Sequence, residues 1–155
     1  MGANKIFYII GGLVTLLATF LFSFHSYFPG VDFYGIGFIL NIPTLFTSGD
    51  IVVIIMAIVF IVFLLSGIFI LIGLKSRALA IIGSLFAIAA GVYFILVFYM
   101  GILEIDQFAF MFLSNAIIDG ILPLNIPIGT VSIAPSLIIA GGVLGLIGRT
   151  NPSGW

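Results

Sequence analysis

Cysteine is absent and charge is scarce in this 155-residue chain, which holds four Lys and Arg, five Asp and Glu and a single histidine. Without cysteine there is no disulfide to order a loop, no thiolate metal site and no thiol nucleophile. With 6% of residues charged against 63% hydrophobic, the chain lacks the polar surface of a protein surrounded by water. Four cations make no basic footprint, so no nucleic-acid partner is expected.

What the chain has instead is long apolar runs. A helix of about 20 apolar residues crosses a hydrocarbon core of about 30 Å, because lipid offers the backbone no hydrogen-bond partners and a helix satisfies its own. Residues 6–24, 51–74 and 78–103 are free of charge over that length, and 128–147 nearly matches them but contains Pro135, where the helix should start or kink. The pattern predicts an all-α integral membrane protein, a four-transmembrane-helix bundle forming one domain over residues 1–155, with outward loops 25–50 and 104–127. The first run is longer than a typical signal-peptide core and is read as an uncleaved anchor. Ile6 stands where a myristoylation motif needs Ser or Thr.

The few charges are segregated. Lys5, Lys75, Arg77 and Arg149 flank the apolar runs on one side, and Asp32, Asp50, Glu104, Asp106 and Asp119 fall in the two other connections. By the positive-inside rule the basic side is cytoplasmic, which predicts a multi-pass cell-membrane protein with both termini in the cytoplasm. Lys75-Ser76-Arg77 forms a tight turn able to touch anionic head groups, and Trp155 suits an interfacial anchor.

An internal repeat is written into the runs. Ile9-Ile10-Gly11-Gly12 recurs as Ile81-Ile82-Gly83-Ser84, and Thr15, Ala18 and Thr19 then correspond to Ala87, Ala90 and Gly91. Ser66-Gly67 before Leu71-Ile72-Gly73 matches Gly141-Gly142 before Leu146-Ile147-Gly148, and Leu-Asn-Ile-Pro occurs at 40–43 and 124–127. These matches predict two tandem parallel helical hairpins, residues 5–77 and 78–152, related by an axis along the membrane normal. Helices in lipid associate where small residues let backbones approach, so Gly11, Thr15, Thr19, Gly83, Ala87, Gly91, Gly141 and Gly145 are the expected packing positions.

The outward connections are unusually apolar. In the first, Pro29-Gly30 marks a turn, Val31 to Leu40 suits a short strand pair or extended chain at the interface, and Ser48-Gly49-Asp50 offers a helix cap. In the second, the run around Phe108 to Leu113 suggests a short interfacial helix over roughly 106–122. Apolar exposed surface marks interaction sites, which makes Phe33, Tyr34, Phe38, Phe108 and Phe112 the expected partner contacts.

Chemistry-bearing residues are few. The apolar runs contain no ionisable group of the kind that binds ions or relays protons at membrane depth; Thr15, Thr19, Ser66 and Ser84 are the hydroxyls well inside them, and such groups commonly bond their own helix. His25 shares the acidic side with scattered carboxylates that lack ligand spacing, so it reads as an interfacial polar residue, and no catalytic, cofactor or metal site is expected beyond structural lipids.

Ser66-Gly67-Ile68-Phe69-Ile70-Leu71-Ile72-Gly73-Leu74-Lys75-Ser76-Arg77-Ala78-Leu79-Ala80 resembles the central hairpin of small four-helix DoxX-type membrane proteins, where a Gly-Leu-x-x-Arg turn joins two apolar helices. The tetraspan pattern is also similar to that of claudins and tetraspanins, without their loop cysteines. The DoxX resemblance implies a small transporter or redox-linked membrane protein and transfers no functional residue. The residues themselves favour a non-catalytic accessory or structural subunit of a larger membrane complex, with the lipid bilayer and other subunits as partners. Copies of the chain itself, forming a membrane or envelope lattice, are the remaining alternative.

Overall fold

A computed structural model describes residues 3–28, 30–100, 109–118, 121–128 and 131–150. Among these, α1 (Ala3–Phe20) leads into a hairpin of β1 (His25–Phe28) and β2 (Val31–Phe33), followed by α2 (Gly35–Phe46), α3 (Ile51–Leu64), α4 (Ser66–Ile72) and α5 (Arg77–Phe98). After a 3-10 turn at Ala109–Phe112 come β3 (Leu113–Asn115), the pair β4 (Pro127–Ile128) and β5 (Val131–Ser132), and α6 (Ala134–Thr150). β2 is the central strand of an antiparallel sheet in the order β1-β2-β3.

Local chemistry sets the helix starts. Asp50 caps α3 by accepting from the Val52 amide at 2.9 Å, and Ser76 caps α5 by accepting from the Leu79 amide at 3.5 Å. Pro135 lies in the first turn of α6, where its missing amide hydrogen costs nothing.

Helices α1, α4, α5 and α6 close a ring, α1 on α6, α6 on α5, α5 on α4 and α4 on α1. Backbones meet at the seams. A methyl group at Gly11 would fall 2.7 Å from the Gly141 carbonyl oxygen, and one at Gly83 would fall 2.6 Å from that of Ser66. Gly67 faces the Gly12 carbonyl at 3.0 Å as Gly142 faces that of Ser84 at 2.7 Å. Under the register Gly11 to Gly83, Gly12 to Ser84, Ser66 to Gly141 and Gly67 to Gly142, each contact maps onto its counterpart in the other half.

The four-span bundle is not what the chain forms. Among the described residues one helix, Arg77–Phe98, is long and apolar enough to cross a membrane, and the pair Ile51–Leu64 and Ser66–Ile72 qualifies together across a 41° bend. The apolar stretches Lys5–Phe20 and Ala134–Gly148 fall short. The missing length has gone into other backbone structure. After Phe20 the chain bridges Phe22 to Leu124 and bonds the Phe24 amide to the Phe33 carbonyl at 2.7 Å, while Ile128 and Val131 pair as strands before α6 begins. Hydropathy does not distinguish these uses of an apolar run.

Two loop expectations also change. Gly35–Phe46 is a helix rather than extended chain, because close approach of Gly35 to the Thr19 carbonyl admits it beside α1. The interfacial helix of the second connection is not found in its described part, where one 3-10 turn gives way to β3. The domain is therefore helix-dominated with small sheets, not all-α.

The aromatic partner contacts are corrected as well. Phe33, Tyr34, Phe38 and Phe112 are fully buried, and Phe108 lies outside the described residues. Phe112 is the hub of a ring cluster, 4.8 Å from Phe60, 5.0 Å from Phe38, 5.3 Å from Phe94 and 5.7 Å from Phe24 between centroids. Edge-to-face pairs of this kind add to the area they bury. These side chains hold the strand end of the molecule together and are not available to a partner.

Candidate functional site: a polar clasp at the strand end

His25 and two backbone groups of the strand end converge on Tyr99, the residue after α5. Its hydroxyl donates to the Phe24 carbonyl at 2.6 Å and accepts from the Ser132 amide at 3.1 Å. His25 Nδ1 lies 3.3 Å from the same oxygen. The one phenolic hydrogen is engaged by Phe24, so His25 must be the donor, which places its neutral-form proton on Nδ1. One side chain thereby joins β1, the end of α5 and β5.

His25 packs against two aromatic rings that also touch each other, 5.2 Å from Phe98 at an interplanar angle of 18° and 6.1 Å from Phe33 at 25°. Burial lowers its pKa from the ordinary 6.5, and the carboxylate of Asp32 partly offsets that. Asp32 is itself buried and accepts from the Ser23 hydroxyl at 3.1 Å. Ser132 donates through its hydroxyl to Asn125 Oδ1 at 2.8 Å. Beside this cluster, Tyr34 donates to the Asn115 carbonyl at 2.7 Å, and burial, then the Asp32 charge, raises its pKa against the opposing Ser114 hydrogen bond.

A second clamp holds α2. Asn41 donates through Nδ2 to the carbonyls of Met111 and Leu113, both at 2.9 Å, completing the backbone needs of the turn into β3. Chemically, both arrangements satisfy buried polar groups and fix chain segments. Among the described residues no three His, Asp or Glu come together as metal ligands.

Of the packing residues singled out in the sequence, Gly11, Thr15, Gly83, Ala87, Gly91, Gly141 and Gly145 lie on the seams of the ring. Thr15 bonds back to the Gly11 carbonyl at 2.8 Å, with Gly141 directly on its hydroxyl. Gly145 packs on the Ser84 hydroxyl, Gly91 on Ile139 and Pro135, and Ala87 stands near Gly142. Thr19 is buried where α1 meets α2.

The basic residues gather at the opposite end from the clasp. Tyr8 stands beside Gly73, and Gly11 beside Gly145, so Lys5, the turn carrying Lys75 and Arg77, and the backbone of Arg149 share that end. The Arg149 side chain is outside the described residues, as are Glu104, Asp106, Asp119 and Trp155.

Sequence reasoning missed Tyr99, Asn41, Asn125 and Ser132. The signal for two of them was present, since Asn41 and Asn125 are the polar members of the repeated Leu-Asn-Ile-Pro. Tyr99 has no such mark, because its partners lie 33 to 75 residues away. No known protein family matches the chain, and no curated protein or solved structure is similar to it.

Proposed function

We propose that this chain is a non-catalytic accessory or scaffold subunit of a membrane complex, acting by packing. The observation that carries the reading is an inside-out distribution of residues. Thr15, Ser66 and Ser84 are buried in the ring with the glycines and Thr19 is buried against α2, while Ile6, Ile10, Leu13 and Leu17 on α1, Ile51, Ile55 and Ile58 on α3, and Ile82, Leu85 and Val92 on α5 are exposed. A helix surrounded by water turns such a stripe inward, and lipid removes the reason to do so.

In this reading α5 and the bent α3–α4 pair cross the bilayer as a hairpin. The end bearing Lys5, Lys75 and Arg77 faces the cytoplasm, by the bias of basic residues, and the clasp faces outward. The matching seams support two hairpin repeats related by an axis through the ring. With the buried aromatics excluded, the partner surface is the exposed apolar set at the strand end, Ile117, Ile118, Ile121 and Ile128.

The chain has no cysteine, so single introduced thiols report topology directly. A membrane-impermeant maleimide should label Ser48→Cys in intact cells and Ala78→Cys after permeabilisation alone; the reverse pattern would overturn the orientation. Extraction from native membranes in a mild detergent should recover the chain in fixed ratio with other membrane subunits, and Ile121→Ser with Ile128→Ser should release them. Recovery of the chain alone would count against an accessory role and for self-assembly.

A further inference from the structure

Between α2, the start of α3 and the turn into β3 lies an open cavity of about 360 Å³, within the range of roughly 300–1,000 Å³ that small-ligand pockets occupy. Leu45, Val53, Met111 and Leu113 give it apolar walls, and Asn41 and Thr44, one turn apart on α2, give it side-chain polar atoms. The Asn41 amide has a fixed orientation. Both of its contacts, the Met111 and Leu113 carbonyls at 2.9 Å, are acceptors, so the nitrogen faces them and both of its hydrogens are engaged. Asn41 Oδ1 and the Thr44 hydroxyl have no hydrogen-bond partner among the described residues.

We infer that this cavity binds the uncharged, hydroxyl-bearing head group of a membrane lipid, a glycerol or a sugar. The inference rests on the membrane placement proposed above, and three observations select this occupant. An amide oxygen held in place beside a hydroxyl that can donate or accept matches a ligand hydroxyl, which does both. A peptide group presents N–H and C=O together, and reading both would need the nitrogen hydrogens that Asn41 has already committed. No ionisable side chain lines the cavity among the described residues, so a phosphate or an ammonium finds no counter-charge there. The cavity also stands at the level where water meets lipid. Exposed Asp50 caps α3 three residues before Val53, while Ile51, Val52 and Ile55 around it are exposed apolar surface for the lipid's hydrocarbon part.

The test is native mass spectrometry of the full chain in lauryldimethylamine oxide, a detergent without hydroxyl groups. Monoolein should bind one per chain, and methyl oleate, which carries the same acyl chain without the hydroxyls, about tenfold more weakly. Thr44→Val should lower monoolein affinity about fivefold and leave methyl oleate unchanged. Thr44→Trp, which fills the cavity from an exposed position, should remove monoolein binding, while Ile10→Trp on the outer face of α1 retains it. No bound monoolein, equal binding of the two esters, or full monoolein affinity in Thr44→Val would each overturn the inference.

A measurement on the unaltered chain guards against a filled variant that fails to fold. Monoolein carrying a diazirine on the acyl carbons nearest its glycerol should cross-link within residues 41–53 and 110–113, and adducts spread evenly over the helices would refute the site. Binding is read in detergent and retention of the chain in carbonate-washed membranes is read separately, so loss of the lipid site and loss of membrane placement are distinguishable.

Discussion

The two ends of this molecule are held by different physics. At the basic end, ring helices touch through Gly11, Gly83, Gly141 and Gly142, and the stabilising contact is backbone against backbone. At the strand end, Phe112 and its neighbours fill the space between α2, α3 and α5, while Tyr99 and Asn41 satisfy buried backbone groups. Small residues suit surroundings in which apolar burial contributes little to association. Large aromatics and a hydrogen-bonded clasp suit the end where strands and turns carry polar backbone that helices do not satisfy.

The sharpest way to separate the ends is to empty the aromatic hub. Phe112→Ala should destabilise the protein by about 3–5 kcal/mol, through lost packing and the cavity left among Phe24, Phe38, Phe60 and Phe94. Denaturant unfolding in detergent measures it, and a loss under about 1 kcal/mol would mean the cluster collapses around the gap.

Overfilling a seam should cost less. Gly141→Val drives a branched side chain into Thr15 and the Gly11 carbonyl and should destabilise by about 1–3 kcal/mol, with α1 moving away from α6. A cysteine pair introduced across α1 and α6 would report that separation by slower cross-linking, and unchanged cross-linking would show that the seam tolerates bulk.

The smallest effect is a pH dependence confined to the clasp. Burial favours neutral His25, so its folded pKa lies below the unfolded value of 6.5. Its contribution is then fully present above pH 6.5 and is lost as pH falls below that value toward the folded pKa. Thermal unfolding between pH 7.5 and about 5 should show this decline in the wild type and a flatter profile in His25→Gln. Identical profiles would place the pH response elsewhere.

How far the fold could be read from the chain differs between the same two ends. The small residues of the seams stand at a helical register, and Ser76 and Asp50 occupy cap positions, because these are local signals of spacing and side-chain type. The aromatic run Phe33-Tyr34 and the later Phe112 looked like contact surface, since hydropathy reports a wish to leave water and not the direction taken. What turns them inward is a partner far along the chain, Phe98 for Phe33 at 4.6 Å and Phe60 for Phe112.

By itself the sequence determined the apolar character of the helices, the gathering of basic residues at one end and the absence of thiol chemistry, because composition and charge position act without reference to distant contacts. Tertiary structure alone decided that the first apolar run leaves its helix after Phe20 and the last one opens with strand pairing, that α3 and α4 break at Leu65, and that one tyrosine hydroxyl joins β1, α5 and β5. Backbone groups at the ends of those runs could be satisfied by a longer helix or by pairing with another segment, and only the folded arrangement supplies the second partner.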